Sequence, residues 1–222
     1  AAGNILINAD EYVNDVSANA ADTIMVNVNG TQNAVENKVI SGGIVNGSYI
    51  GGNVVLNALN GYVTGVEVVA GEGLSVINDD YVFGVAYINA GKDIENVTVR
   101  SLEGATVSAG RHIANVDATS IGVVTMIAGQ YDSMTQEPLN GSISGSSATG
   151  NQVVMMASNN IVNSTVTTRI VEKPVIPGQQ PEEPGEDEGI AYVSAQNQLS
   201  GVSVNAVNDV FVDATTIDML NV

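Results

Sequence analysis

Residues 105–118 read ATVSAGRHIANVDA, and the spacing of apolar residues in this stretch decides the fold. Ala105, Val107 and Ala109 alternate with polar or small residues at period two, the pattern of a strand with one buried face. Gly110-Arg111-His112 interrupts the alternation, Ile113 points inward once, and a second alternation follows at Val116 and Ala118. Two short strands joined by a tight corner account for the whole stretch.

The same phrase recurs along the chain. With the small residue that closes the first strand as anchor, apolar residues fall four, seven and nine places later. From Ala9 these are Val13, Val16 and Ala18; from Ala90 they are Ile94, Val97 and Val99. From Ala109 they are Ile113, Val116 and Ala118; from Ala195 they are Leu199, Val202 and Val204. From Asn78 the matches are Val82 and Val85, with Tyr87 in the last place. Ala9 to Val28, Ala90 to Ala109, Ala109 to Ala128 and Ala195 to Ala214 share one and the same interval. Such a unit cannot bury its apolar face alone, and stacking units at a strand spacing of about 4.8 Å joins the inward side chains into one column. The expected fold is therefore all-β, a right-handed parallel β-helix (β-solenoid) with coils of about 19 residues and protruding loops. A propeller or a leucine-rich repeat needs a longer unit or a Leu-Asn consensus, and this sequence has neither.

The residues that carry the phrase are GNILINA (3–9), GNVVLNA (52–58), INAGKDIENVTV (88–99), VSAGRHIANVDA (107–118) and VSAQNQLSGVSV (193–204). This phrase resembles the haemagglutinin repeats of filamentous haemagglutinin-like exoproteins, the adhesins exported by two-partner secretion. The resemblance covers most of the chain outside three insertions. It implies a fibrous shaft, a bacterial surface location and adhesion. At 222 residues the chain is far shorter than such exoproteins.

Composition narrows the functional classes. Six Lys and Arg against 24 Asp and Glu give a formal charge of −18, which argues against nucleic acid and against charge-driven binding to an anionic membrane. The absence of cysteine removes disulfide and thiol chemistry. No apolar run is long enough to span a membrane as a helix. The repeat pattern is running by Gly3 and still running at Val222 without an atypical polar cap, so flanking repeats or a second copy are expected to meet the ends.

The chain reads as one domain, 1–222, with insertions at about 30–51, 130–150 and 171–189. Between residues 53 and 90 two registers fit, anchored at Ala58 and Asn78 or at Ala70 and Ala90. Residues 130–150 are rich in Gly and Ser, the composition of a loop or short hairpin. Residues 171–189 hold four of the five prolines and a cluster of acids, which excludes them from a strand stack. Asn14, Asn60, Asn96, Asn115, Asn160 and Asn208 fall at corners, where asparagine tolerates a left-handed backbone and stacked side chains form ladders.

Candidate chemical sites each have a plainer explanation. His112 is the only histidine and sits at an exposed corner without the partners of a zinc site or a triad. Asp79-Asp80 is where an enzyme reading would begin, but neighbours on a strand point to opposite faces, whereas acid–base work needs opposed carboxylates. Glu182, Glu183, Glu186, Asp187 and Glu188 could gather calcium, yet interleaved Pro and Gly favour a solvated loop. Tyr12, Tyr49, Tyr62, Tyr81, Tyr87, Tyr131 and Tyr192 form no evident aromatic row for carbohydrate. No catalytic, cofactor-binding or metal residue is assigned, and no enzyme activity is expected. The expected function is a structural and adhesive segment of a bacterial surface or secreted fibre, a rigid shaft displaying loops. Alternatives are a subunit of a self-assembling extracellular filament and, less favoured, a carbohydrate-active β-helix enzyme. Expected partners are the chain itself or flanking repeats end to end, and a host-cell or neighbouring-cell surface, with neither nucleic acid nor membrane insertion.

Overall fold

In the computed structural model, residues 3–33, 38–40, 42–71, 84–129, 140–170 and 188–222 are described. Strand accounts for 71% of the structure, and no helix is present among these residues. The first strands are β1 (Ile5–Ala9), β2 (Tyr12–Asn14), β3 (Ser17–Asn19), β4 (Thr23–Val28), β5 (Thr31–Asn33), β6 (Lys38–Ile40) and β7 (Gly43–Gly51). Next come β8 (Asn53–Ala58), β9 (Tyr62–Ala70), β10 (Val85–Ala90), β11 (Ile94–Ser101), β12 (Gly104–Ala109), β13 (Ile113–Ser120) and β14 (Val123–Ala128). The last are β15 (Ile143–Ser144), β16 (Ser147–Gly150), β17 (Gln152–Ala157), β18 (Asn160–Val162), β19 (Thr165–Thr168), β20 (Ala191–Asn205) and β21 (Val210–Asn221).

Nineteen of these strands form one sheet whose ladders are all parallel; β5 and β6 make a separate antiparallel hairpin. One row of ladders runs β1–β4–β8–β10–β12–β14–β17–β20–β21. A second row links β2 and β3 through β7, β9, β11 and β13, then the paired short strands β15 with β16 and β18 with β19, and runs through the second half of β20 to that of β21.

The expectation of a right-handed parallel β-helix with uniform coils is corrected by this pairing. The sheet closes into a six-strand parallel β-barrel with further strands bonded outside it. Pairing traces a closed ring through β13, β15, β18, β20, β19 and β16. Long strands close this ring at both ends: β13 bonds both β15 and β16, and the 15-residue β20 bonds both β18 and β19. The first half of β20 also bonds β17, so the two rows meet in this strand. Nor is the repeat uniform: Ile5 pairs with Ile24 and Val107 with Met126, but Val26 pairs with Leu56 and Met155 with Val193.

Between residues 53 and 90 neither sequence register holds, because Ala90 pairs with Ala58 and Ala70 with Ser101. The Gly/Ser-rich stretch is corrected in part as well. Ile143 is buried beside Ile113, and Ser147 pairs with Asp117, so its second half belongs to the sheet. Ser146 sits in the column of Val97 and Val116 and is buried there. Its hydroxyl donates to the Ser144 carbonyl at 3.0 Å and accepts from the Val116 N–H at 3.2 Å, which makes a polar residue tolerable in the core. Residues 130–139 and most of 171–189 lie outside the described residues.

The core is a set of columns that cross the tiers of paired strands. One carries Ile7, Val26, Leu56, Ile88, Val107, Met126, Met155, Val193 and Val212 in successive register. Another carries Ile94, Ile113, Ile143, Ile161 and Leu199, all fully buried. Strand alternation sends every second side chain inward. Burying each such aliphatic side chain is worth roughly 1.5–3 kcal/mol. Ile7, Val16 and Val212 pack against this core from its margins while remaining partly exposed.

Candidate functional site: an asparagine-lined corner groove

The second row of strands turns a corner at one fixed position in each tier, and at that position the backbone is left-handed. The residues there are Asp15, Asn46, Gly65, Asn96, Asn115, Gly145, Asn163, Gly201 and Met219, with φ between 47° and 65°. Register places them in one column, since Asn14 pairs with Val45, Val45 with Thr64, Thr64 with Glu95, Glu95 with Ala114 and Ala114 with Ser144. A left-handed backbone costs an ordinary L-residue roughly 1–2 kcal/mol, and Asn, Asp and Gly visit it most readily. The sequence therefore puts a short amide, an acid or nothing at eight of these nine turns.

Asparagine also bonds from tier to tier. Asn115 Nδ2 donates to Asn96 Oδ1 at 3.2 Å along the corner. On the neighbouring face Asn27 Nδ2 donates to Asn8 Oδ1 at 2.9 Å, and Asn57 Nδ2 donates to Asn27 Oδ1 at 3.0 Å. Of the six asparagines expected at such corners, Asn96 and Asn115 have the left-handed backbone, whereas Asn14, Asn60, Asn160 and Asn208 do not. The Asn8–Asn27–Asn57 ladder lies within strands and was missed; its signal is the Asn that immediately precedes Ala9, Val28 and Ala58.

Beside the early part of this column lies a shallow groove of about 640 Å³, lined by Asp15, Ser17, Asn46, Ser48, Glu67 and Asn96 among others. Gly47 in its lining replaces the valine that neighbouring tiers place at this position, Val66 and Val97. Tyr49 explains that glycine. A Cβ at Gly47 would stand 2.6 Å from the Tyr49 ring, so the buried tyrosine occupies the space the side chain would need. Burial pushes the Tyr49 hydroxyl up to about 12. That hydroxyl finds no hydrogen-bond partner among the described residues. The groove offers amides, hydroxyls and two carboxylates, a surface for hydrogen bonding to a polar ligand.

The sequence candidates are placed as follows. His112 is exposed; its Nδ1 accepts from the Ser142 backbone N–H at 3.3 Å, and its backbone N–H donates to Asp93 Oδ1 at 3.2 Å. Arg111 pairs with Asp93, so the three residues fix a corner between tiers. Asp79, Asp80, Glu182, Glu183, Glu186 and Asp187 lie outside the described residues, whereas Glu188 is half-buried and its carbonyl accepts from Asn208 Nδ2 at 2.6 Å. Among the described residues no three His, Cys, Asp or Glu side chains are grouped to hold a metal ion.

Two aromatic contacts were invisible in the sequence. Tyr192 and Phe211 pair in register and stack with ring centroids 4.9 Å apart and planes 8° from parallel. Tyr12 and Tyr62 approach to 6.5 Å because Gly43 between them in the ladder has no side chain. Burial, then the neighbouring Tyr12, raises the Tyr62 hydroxyl above its ordinary range. Both contacts depend on partners distant in sequence, which periodicity alone does not fix. Against this geometry, comparison with family models, with curated proteins and with solved structures finds no match.

Proposed function

We propose that the chain is a structural and adhesive segment of a bacterial surface or secreted fibre, a stiff body that displays inserted segments outward. One observation carries the reading: the ladders resume in register across inserts of unequal length. Ala58 pairs with Ala90, Ala128 with Ala157 and Ala157 with Ala195, so three different intervals along the sequence all return to the same column. A body that accepts such inserts without shifting register lets the segments between strands vary independently of the core. The likeness of the repeated phrase to filamentous haemagglutinin-like repeats supports the same reading, as does a formal charge of −18, which suits a surface that repels its neighbours in solution.

The test separates body from inserts. Residues 130–139 and 171–187 are replaced by short Gly-Ser links, and beads coated with the intact or trimmed chain are scored for attachment to epithelial monolayers and bacterial lawns. Attachment should follow the inserts while the melting temperature stays within a few degrees. Loss of the fold on trimming would overturn the reading, as would catalytic release of reducing ends from polygalacturonate by the intact chain.

A further inference from the structure

Both margins of the sheet are open among the described residues. There β1 bonds only β4, and β21 bonds only β20. Each open strand carries an apolar stripe. Ile5, Ile7, Ala9 and Val16 at one margin, and Val210, Val212, Ala214 and Leu220 at the other, are only partly buried against the core. Phe211, Ile217 and Met219 are about half exposed or more, at 51%, 49% and 69%. An open strand with unpaired N–H and C=O groups is a template for another strand.

The two margins match each other in register. Following the columns, Ile5 falls at the position of Val210, Ile7 at Val212, Ala9 at Ala214, and Leu6 at Phe211. Leu6 laid on Phe211 would continue the Tyr192–Phe211 stack.

The polar positions match as well, and with a direction. In the amide ladders the later tier donates to the earlier one: Asn27 to Asn8, Asn57 to Asn27, Asn115 to Asn96. The Thr23 N–H likewise donates to Asn4 Oδ1, and the Val85 N–H to Asn53 Oδ1. At the first margin Asn4, Asn8 and Asn14 are exposed. In the same columns the last margin exposes Asp209, Asp213 and Asp218. Carboxylates accept only, so the last tier is built to receive and the first tier has amides to give. Acid faces amide at each of these positions rather than acid facing acid.

We propose that β21 of one copy of this chain pairs in parallel with β1 of a second copy, head to tail, with Val212 opposite Ile7 and Asp213 opposite Asn8. This goes beyond the scaffold reading, which rests on the inserts and not on the margins. The interface continues the existing ladder, and repetition of a head-to-tail contact yields an open filament.

The experiment exploits a chain without cysteine. Asn8→Cys and Asp213→Cys are made as separate variants and shown by circular dichroism to keep the parent β spectrum. Mixed under mild oxidation, they should form one disulfide-linked heterodimer, since Cα atoms of paired strands lie within disulfide reach. The pairing of Asn4→Cys with Asp213→Cys should link at least tenfold less. Val212→Lys in the Asp213→Cys chain should abolish the cross-link while leaving its own spectrum intact. Equal yields from both pairings, preferential Asn8→Cys homodimers, or a cross-link-free monomer at high concentration would each overturn the proposal. The monomer result would mean that a flanking stretch of polypeptide, and not a second copy, covers these margins.

Discussion

Tyr49→Phe removes one oxygen atom from the centre of the core, and the structure sets both the sign and the size of its effect. The Tyr49 side chain is fully buried, and its hydroxyl has no hydrogen-bond partner among the described residues. An unmet buried hydroxyl costs about 1–3 kcal/mol. Phenylalanine keeps the ring against Gly47, so packing is nearly conserved and the variant should gain about 1 kcal/mol at neutral pH. The same hydroxyl has an alkaline signature. Its pKa is about 12 when folded against 10.0 in the unfolded chain. A raised folded value contributes stability that is fully present below pH 10 and is lost as pH rises through 12. The full loss amounts to roughly 2–3 kcal/mol, since each pKa unit is worth about 1.4 kcal/mol. Urea unfolding of both proteins at pH 7, 9 and 11 reads the difference, and the other tyrosines cancel between parent and variant. The phenylalanine protein should be more stable at pH 7 and should widen its lead by about 1 kcal/mol by pH 11. A variant less stable at pH 7, or an unchanged gap at pH 11, would show that the hydroxyl is bonded and solvated, and that this core position is misread.

Val107→Asp places a carboxylate in a column between Ile88 and Met126, and thermal melts should show a loss of several kcal/mol or failure to fold; an unchanged melt contradicts the inward register. Met219→Asn puts an amide at the one left-handed corner held by a long side chain, and should raise stability by about 1 kcal/mol in denaturant titration. Gly47→Ala drives a methyl into the Tyr49 ring and should lower the melting temperature by several degrees, whereas the double variant with Tyr49→Leu should recover part of that loss.

The strands themselves were legible because the alternation is clean wherever one face is buried: Val107, Ile113 and Val116 behave as their spacing requires. Closure was not. A local pattern specifies which side chains turn inward but not that two long strands, β13 and β20, will each bond a pair of short strands and close a ring. The spacing also misled between residues 53 and 90, where small residues at equal intervals imitate anchors while the true partners, Ala58 and Ala90, stand farther apart than that interval. Serine at positions 146 and 164 hid a core column because its buried hydroxyl bonds its own backbone, which hydropathy cannot register. The corner groove escaped for a related reason. Asp15, Asn46 and Asn96 look like turn residues singly, and only tier-to-tier register lines them up.

The measurement that bears most directly on a continuous ladder carrying unequal inserts is hydrogen exchange of the intact protein, read by mass spectrometry at strand resolution. Residues 105–109 and 124–128 pair with no insert between them, whereas 86–90 and 153–157 follow inserts. The expected result is slow exchange of one common rate across all four strands, since a single core opens as one unit. Exchange in 86–90 or 153–157 faster by orders of magnitude than in 105–109 would contradict it, because the ladder would then be broken at the inserts and the chain would not be one stiff body.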